Sequence, residues 1–126
     1  ERPVVDASRA IALYSPEWDR FRKGETELEG GNVAAYILKQ RALSRYREES
    51  RWRDLAHHVI ELDYPLDAAY AYLYEAAQGL GYSEAALRYA DKAVELSRDE
   101  RFACTNRTLV ACPEGWNVGG DGSDSE

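Results

Sequence analysis

No methionine occurs anywhere in the 126 residues, so the chain begins at a processing site or a cut and not at its own start codon. A removed signal peptide accounts for this, and so does a fragment. No apolar run approaches the ~20 residues that a membrane span requires, and no cationic-then-apolar leader precedes the first helical pattern. Basic residues are the minority, 16 against 23 acidic, and the net charge of -7 repels phosphate backbones, which argues against nucleic acid as the partner. Histidine is limited to His57 and His58. Neighbours on a helix point about 100° apart and cannot chelate one metal together. His57 with Glu61, and Asp54 with His58, keep the i, i+4 spacing, but two ligands lack a third, so both histidines are read as surface residues and no metal is expected. A glycine-rich phosphate loop, a nucleophile elbow and a Ser/His/Asp set are all missing. Glu75 is the one carboxylate considered as a general acid, and no second carboxylate stands near it in the pattern. The chain is therefore read as non-catalytic and without a cofactor.

What is present suffices for one folded domain: 44% of the residues are hydrophobic. Arg41, Arg45, Arg47, Arg51 and Arg53 crowd one region, but Glu48, Glu49 and Asp54 interleave with them, giving a solvated, ion-paired helix face. Cys104 and Cys112 are the only cysteines, with seven residues between them. A disulfide closing a small loop is the preferred reading, two free thiols the alternative, and a metal site lacks further ligands. A bridge would place the protein in an oxidising compartment. Asn106-Arg107-Thr108 is a glycosylation sequon crowded into that loop and a weak acceptor for that reason.

Along the chain, Val4, Val5 and Ala10-Ile11-Ala12-Leu13 suggest a short N-terminal helix. Ser15-Pro16 reads as an N-cap followed by proline at the first helical position, with Trp18 and Phe21 on one face and an end near Lys23-Gly24. A second short stretch through Leu28 leads to the break at Gly30-Gly31-Asn32. A helix over about 32–46 then carries Ala35, Ile37 or Leu38, Ala42 and Tyr46 inward. One over about 50–63 carries Trp52, Leu55, Ala56, Val59 and Leu62, and Tyr64-Pro65 stops it. Helices over about 66–80 and 83–98 follow, joined at Gly81, with Ser83 as cap. Ala76, Ala77, Ala86, Ala90 and Ala93 let this pair approach while Leu73, Leu87, Val94 and Leu96 fill the space between. Pro113 through Trp116 link the cysteine loop to an acidic, glycine-rich tail read as disordered; Trp116 folds back on the last helix or serves as an exposed anchor. Of the five tyrosines Tyr70, Tyr72, Tyr74, Tyr82 and Tyr89, some are expected at the surface, where they would suit a homodimer or a dedicated partner.

The strongest signal is self-similarity at a spacing of 34. Val33-Ala34-Ala35-Tyr36 recurs as Asp67-Ala68-Ala69-Tyr70, and the stretch from Ala56 to Leu62 recurs from Ala90 to Leu96. Residues 67–98 resemble a tetratricopeptide repeat (TPR): Tyr70 stands at the early aromatic position, Leu73 at the following leucine, Gly81 at the turn, Ala86-Leu87 at the small-then-aliphatic pair, and Ala93-Val94 with Leu96 at the end of the second helix. Tyr74 and Ala90 depart from the pattern. Residues 33–66 resemble a diverged copy, with Trp52 where a small residue is expected and Arg47 where the turn glycine is expected. The layout is also similar to small uncharacterised TPR proteins and lipoproteins of the Gram-negative cell envelope.

The expected fold is all-α: antiparallel helix hairpins of TPR type, about six helices. Residues 1–32 would form a helical cap, 33–66 the diverged repeat, 67–100 the second repeat, 101–116 the cysteine-bounded loop and 117–126 the tail. The resemblance implies a non-catalytic adaptor that binds a partner protein or peptide in the groove of its first helices, at Ile37, Arg41 and Ser44 in one repeat and Ala71, Glu75 and Gln78 in the other. Ala71 and Glu75 stand where some members carry a carboxylate clamp of Lys and Asn, so that use is not expected. Periplasm or cell envelope is the expected location, with a lipid anchor compatible with a trimmed N-terminus. The competing reading is a cytosolic or secreted module, chaperone-like or binding a peptide or small molecule.

Overall fold

The computed structural model describes residues 15–99, 101–106 and 109–113. The expected N-terminal helix over 1–14, Trp116, the acidic tail, and Arg107 and Thr108 of the sequon lie outside them. Five α-helices carry the described chain: α1 (Pro16–Lys23), α2 (Val33–Glu48), α3 (Trp52–Leu62), α4 (Asp67–Gly79) and α5 (Ser83–Ser97). A single 3₁₀ turn follows at Cys104–Asn106, and no strand occurs among the described residues. Of the six helices expected, one falls in the undescribed N-terminus. The stretch through Leu28 is extended chain and not helix.

Local chemistry sets the helix ends. Ser15 Oγ accepts from the Trp18 N–H at 3.2 Å, Pro16 follows at the first helical position, and Gly24 closes α1 in the left-handed region. Asn32 Oδ1 accepts from the Ala35 N–H at 2.8 Å and caps α2. Gly81, at φ +89°, makes the turn between α4 and α5. Ser83 does not cap α5: it is the first helical residue, and Tyr82 occupies the cap position without a side-chain bond.

The helices pack in order, with α4 against both α3 and α5 and α2 against α3 and α4. Between α4 and α5 the small residues Ala76, Ala77, Ala86 and Ala93 are all buried, and Leu73 fills the seam. Leu87 does not: it is 65% exposed, because the buried face of α5 runs through Ala85, Ala86, Tyr89 and Ala93. On α2 the buried residues are Tyr36 and Leu43, one position round from the expected stripe, and Leu38 faces solvent at 86% exposure. Ala35, Ile37, Ala42 and Tyr46 are half-buried. Trp52, the large residue at a small position, is accommodated by Gly79: a Cβ there would collide with the indole. A glycine in the last turn costs helix stability, and here it is the space for a neighbour that requires it.

The tyrosines are core residues and not a surface patch. Tyr70, Tyr72 and Tyr89 are buried, and Tyr74 and Tyr82 are half-buried. They also fasten the 24–32 segment. Tyr89 donates to the Phe21 carbonyl at 2.8 Å and accepts from the Thr26 N–H at 3.3 Å, and Tyr70 accepts from the Leu28 N–H at 2.7 Å. Asp63, itself left-handed at φ +58°, takes the Glu29 and Gly30 amides on its two carboxylate oxygens. Gly31, at φ +69°, approaches the Leu62 carbonyl so closely that no side chain fits. The ring of Phe21 stacks on Tyr89 with centroids 5.6 Å apart, and Trp18 packs beside it at 4.9 Å.

His57 and His58 are likewise buried, at 5% and 6% exposure, contrary to the surface placement expected from their polarity. They stand in the run from Leu55 to Val59, five consecutive buried residues, so α3 is enclosed on nearly every side there. The His58 Nδ1 lies 2.8 Å from the Asp54 carbonyl, which only accepts, so this nitrogen carries the hydrogen. Its ring packs on Tyr46 at 4.9 Å, and the His57 Nε2 lies 3.8 Å from Glu61.

Candidate functional site

α2 and α4 start at Val33 and Asp67, 34 residues apart, and pack on one another. Tyr36 and Tyr70, equivalent in that spacing, are both buried. α2 carries three of the six expected binding residues and α4 the other three, and the structure does not treat them alike. Arg41 and Gln78 are exposed, and Ile37 and Ser44 are half-buried. Ala71 is fully buried and offers nothing to a partner in this state. Glu75 is half-buried and its Oε1 accepts from the Arg47 Nε at 2.7 Å, an ion pair that ties the last turn of α2 to α4. The residue at the expected turn-glycine position is thus a bridge between the two helices.

The chain's own C-terminal segment is bonded to both helices. After α5 the backbone returns to the first turn of α4: the Asp67 N–H donates to the Phe102 carbonyl at 2.9 Å, and Asp67 Oδ1 accepts from the Cys104 N–H at 2.8 Å. Cys104 is bonded to Cys112, with Cα atoms 5.4 Å apart. The expected disulfide is present. The segment then reaches the middle of α2, where the carboxamide of Gln40 grips it at two points. Gln40 Nε2 donates to the Leu109 carbonyl at 2.7 Å and Oε1 accepts from the Ala111 N–H at 3.0 Å. Val110, between those residues, is 5% exposed, whereas Leu109 is 69% exposed. The spacing of 34 marks α2 and α4, but nothing in it marks Gln40. Its role depends on a segment some 70 residues downstream.

Asp67 is 1% exposed, and its Oδ2 lies 3.6 Å from the Cys104 sulfur. In the disulfide that sulfur carries no hydrogen, so the approach is a contact and not a hydrogen bond. The Tyr36 hydroxyl is buried nearby without a hydrogen-bond partner among the described residues. Burial, followed by the fields of Tyr72 and Asp67, pushes it well above the usual phenol range. Burial also pushes Tyr72 and Tyr89 up to about 12.

A concavity of about 140 Å³ lies between the 24–27 segment and α5, lined by Glu25, Glu27, Tyr70, Arg88, Tyr89 and Lys92. Among the described residues no group of three or more His, Cys, Asp or Glu side chains is arranged to hold a metal. None of the helices there is long and apolar enough to cross a membrane. Compared with protein-family models, curated proteins and solved structures, the chain matches none of them.

Proposed function

We propose that this chain is a non-catalytic adaptor of TPR type that holds an extended peptide or a segment of a partner protein against its α2–α4 face. The observation that supports this reading is the side-by-side placement of two helices that start 34 residues apart, with Arg41, Ser44 and Gln78 at or near the surface of the face they share. Glu75, the residue considered for acid catalysis, is engaged by Arg47, so a non-catalytic role is the better fit. The disulfide suits an oxidising compartment, and we place the protein in the bacterial cell envelope or periplasm. The test is capture of partners by the tagged full-length chain from its own cells, with and without reductant, compared with Arg41→Glu combined with Gln78→Lys. Both positions are exposed, so the fold is expected to survive. Loss of specific captured proteins supports the adaptor, and a set unchanged by the variant sinks it.

One observation favours a second reading, a small-ligand module. The concavity beside α5 brings the cations of Arg88 and Lys92 together, with Glu25 and Glu27 on its opposite wall and the already engaged rings of Tyr70 and Tyr89 between. Thermal stabilisation by small carboxylates that is lost in Arg88→Ala would support it over the adaptor.

A further inference from the structure

The disulfide loop is bonded to both helices on which the proposed function depends, to α4 at Asp67 and to α2 at Gln40, and its two limbs are held very differently. The Cys104 limb is fastened inside: Asp67, buried at the start of α4, accepts the Cys104 N–H, and its own N–H goes to the Phe102 carbonyl. The 109–113 limb is fastened at the surface. Its polar grip is the Gln40 carboxamide, whose two bonds are exposed to water, together with the burial of Val110 and Pro113 and the covalent link to Cys104. Exposed hydrogen bonds contribute little net stability because water replaces them. Removing the covalent link therefore loosens the 109–113 limb first.

The Gln40 grip also has a chemistry of its own. A carboxamide that donates to one carbonyl and accepts from the amide two residues later reads extended backbone and no particular side chain. Between those two groups one aliphatic side chain, Val110, turns inward while Leu109 and Ala111 face out. Any extended segment with one aliphatic residue between two unrestricted neighbours meets the same requirements.

We infer that the 109–113 limb is a resident, cis-acting occupant of the α2–α4 face, and that reduction of the Cys104–Cys112 disulfide frees Gln40 to take an extended segment of a partner polypeptide. This rests on the adaptor reading and adds its regulation. The sulfur chemistry is fixed by access. Cys112 is half-buried and Cys104 is 1% exposed, so a thiolate of a dithiol reductant attacks the Cys112 sulfur. The S–S bond breaks, Cys104 leaves as thiolate and takes a proton, and the reductant's second thiol resolves the mixed disulfide, releasing the Cys112 thiol and an oxidised reductant. Two electrons pass from reductant to protein. The Cys104 S–H can then donate to Asp67 Oδ2, already 3.6 Å away, which retains that limb on α4 while the other departs.

The test uses the full chain, oxidised or treated with dithiothreitol, and a fluorescein-labelled peptide Thr-Leu-Val-Ala-Ser-Pro that copies the limb with serine in place of cysteine. Because the freed limb remains tethered and competes at high effective concentration, a full-length Val110→Ser, Cys112→Ser variant is included to weaken its seat. Polarisation is expected to show peptide affinity rising by about tenfold or more from oxidised to reduced chain, in keeping with the entropy a closed loop removes. It should rise again in the double variant and be lost when Gln40→Ala is added. In parallel, hydrogen exchange at the Ala111 amide should accelerate on reduction while the Cys104 amide stays protected. Equal affinity in both redox states, no effect of Gln40→Ala, or exchange that rises at both limbs or at neither overturns the inference. Partner capture that depends on Arg41 and Gln78 but not on reductant would retain the adaptor and discard the gate.

Discussion

The two helix pairs share one spacing and differ in almost everything that the spacing does not encode. α4 buries nine of its thirteen residues, whereas α2, three residues longer, buries Tyr36 and Leu43 alone. The reason is position in the stack. Among the described residues α4 packs against α3, α5 and α2 and is bonded to the cysteine loop at Asp67, while α2 packs chiefly against α3 and α4 and leaves Leu38 exposed. Equivalent positions in a repeat therefore need not be equivalent in energy, because burial is set by the neighbours each copy has.

The largest effect that would expose this asymmetry is truncation of an apolar residue in each helix. Leu73→Ala in α4 should lose about 2–5 kcal/mol of unfolding free energy in denaturant titration, since the side chain is fully buried. Leu38→Ala in α2 should stay within about 0.5 kcal/mol, as surface changes do. Comparable losses at both positions would mean that α2 is covered in solution.

Alkaline pH probes the tyrosines of both pairs. Their folded-state values lie above the ordinary 10, so the folded protein holds these protons more tightly than the unfolded chain. Their contribution is fully present below pH 10 and is lost as pH rises toward about 12 for Tyr72 and Tyr89. Each should account for up to about 2–3 kcal/mol. Tm should fall steeply across that interval, and Tyr89→Phe should flatten the fall; a Tm independent of pH there would place the hydroxyls in water.

Overpacking the α4–α5 seam is expected to be milder. Ala86→Leu, at 3% exposure, should cost about 1–3 kcal/mol, and Leu87→Ala beside it close to nothing. The smallest effect concerns the tie between the pairs. Arg47 and Glu75 keep about a quarter of their side-chain surface exposed, at 22% and 25%, so a double-mutant cycle should return a coupling below about 1 kcal/mol. A larger value would make that ion pair a principal link between α2 and α4.

Much of the scaffold was legible because local chemistry fixes it. Ser15-Pro16, Gly24, Asn32 and Gly81 punctuate the helices by capping and by backbone freedom, and the cysteine spacing suits the bridge that forms. What escaped reading depends on distant chain. His57 and His58 are polar by type but stand in the run from Leu55 to Val59, where α3 is enclosed on nearly every side, and polarity alone says nothing of that enclosure. Leu87 sits at an aliphatic position of the repeat pattern, yet no further repeat helix packs on the outer side of α5 among the described residues. Of the six candidate site residues, Ala71 is buried in the packing of α4, which the spacing does not encode, and Glu75 gained a partner because Arg47 reaches it from α2. Gln40 carried no signal, since a side-chain amide acquires meaning only from the backbone it meets.

The extended segment between α1 and α2 has a consequence for the order in which the molecule assembles. Its anchors lie far along the chain, at Asp63, Tyr70 and Tyr89, so the segment finds nothing to bind until α3, α4 and α5 are already in place. Contacts that close such long loops form late. Trp18 and Phe21 are thus expected to settle onto a surface the later helices have built, and α1 to be released early in unfolding.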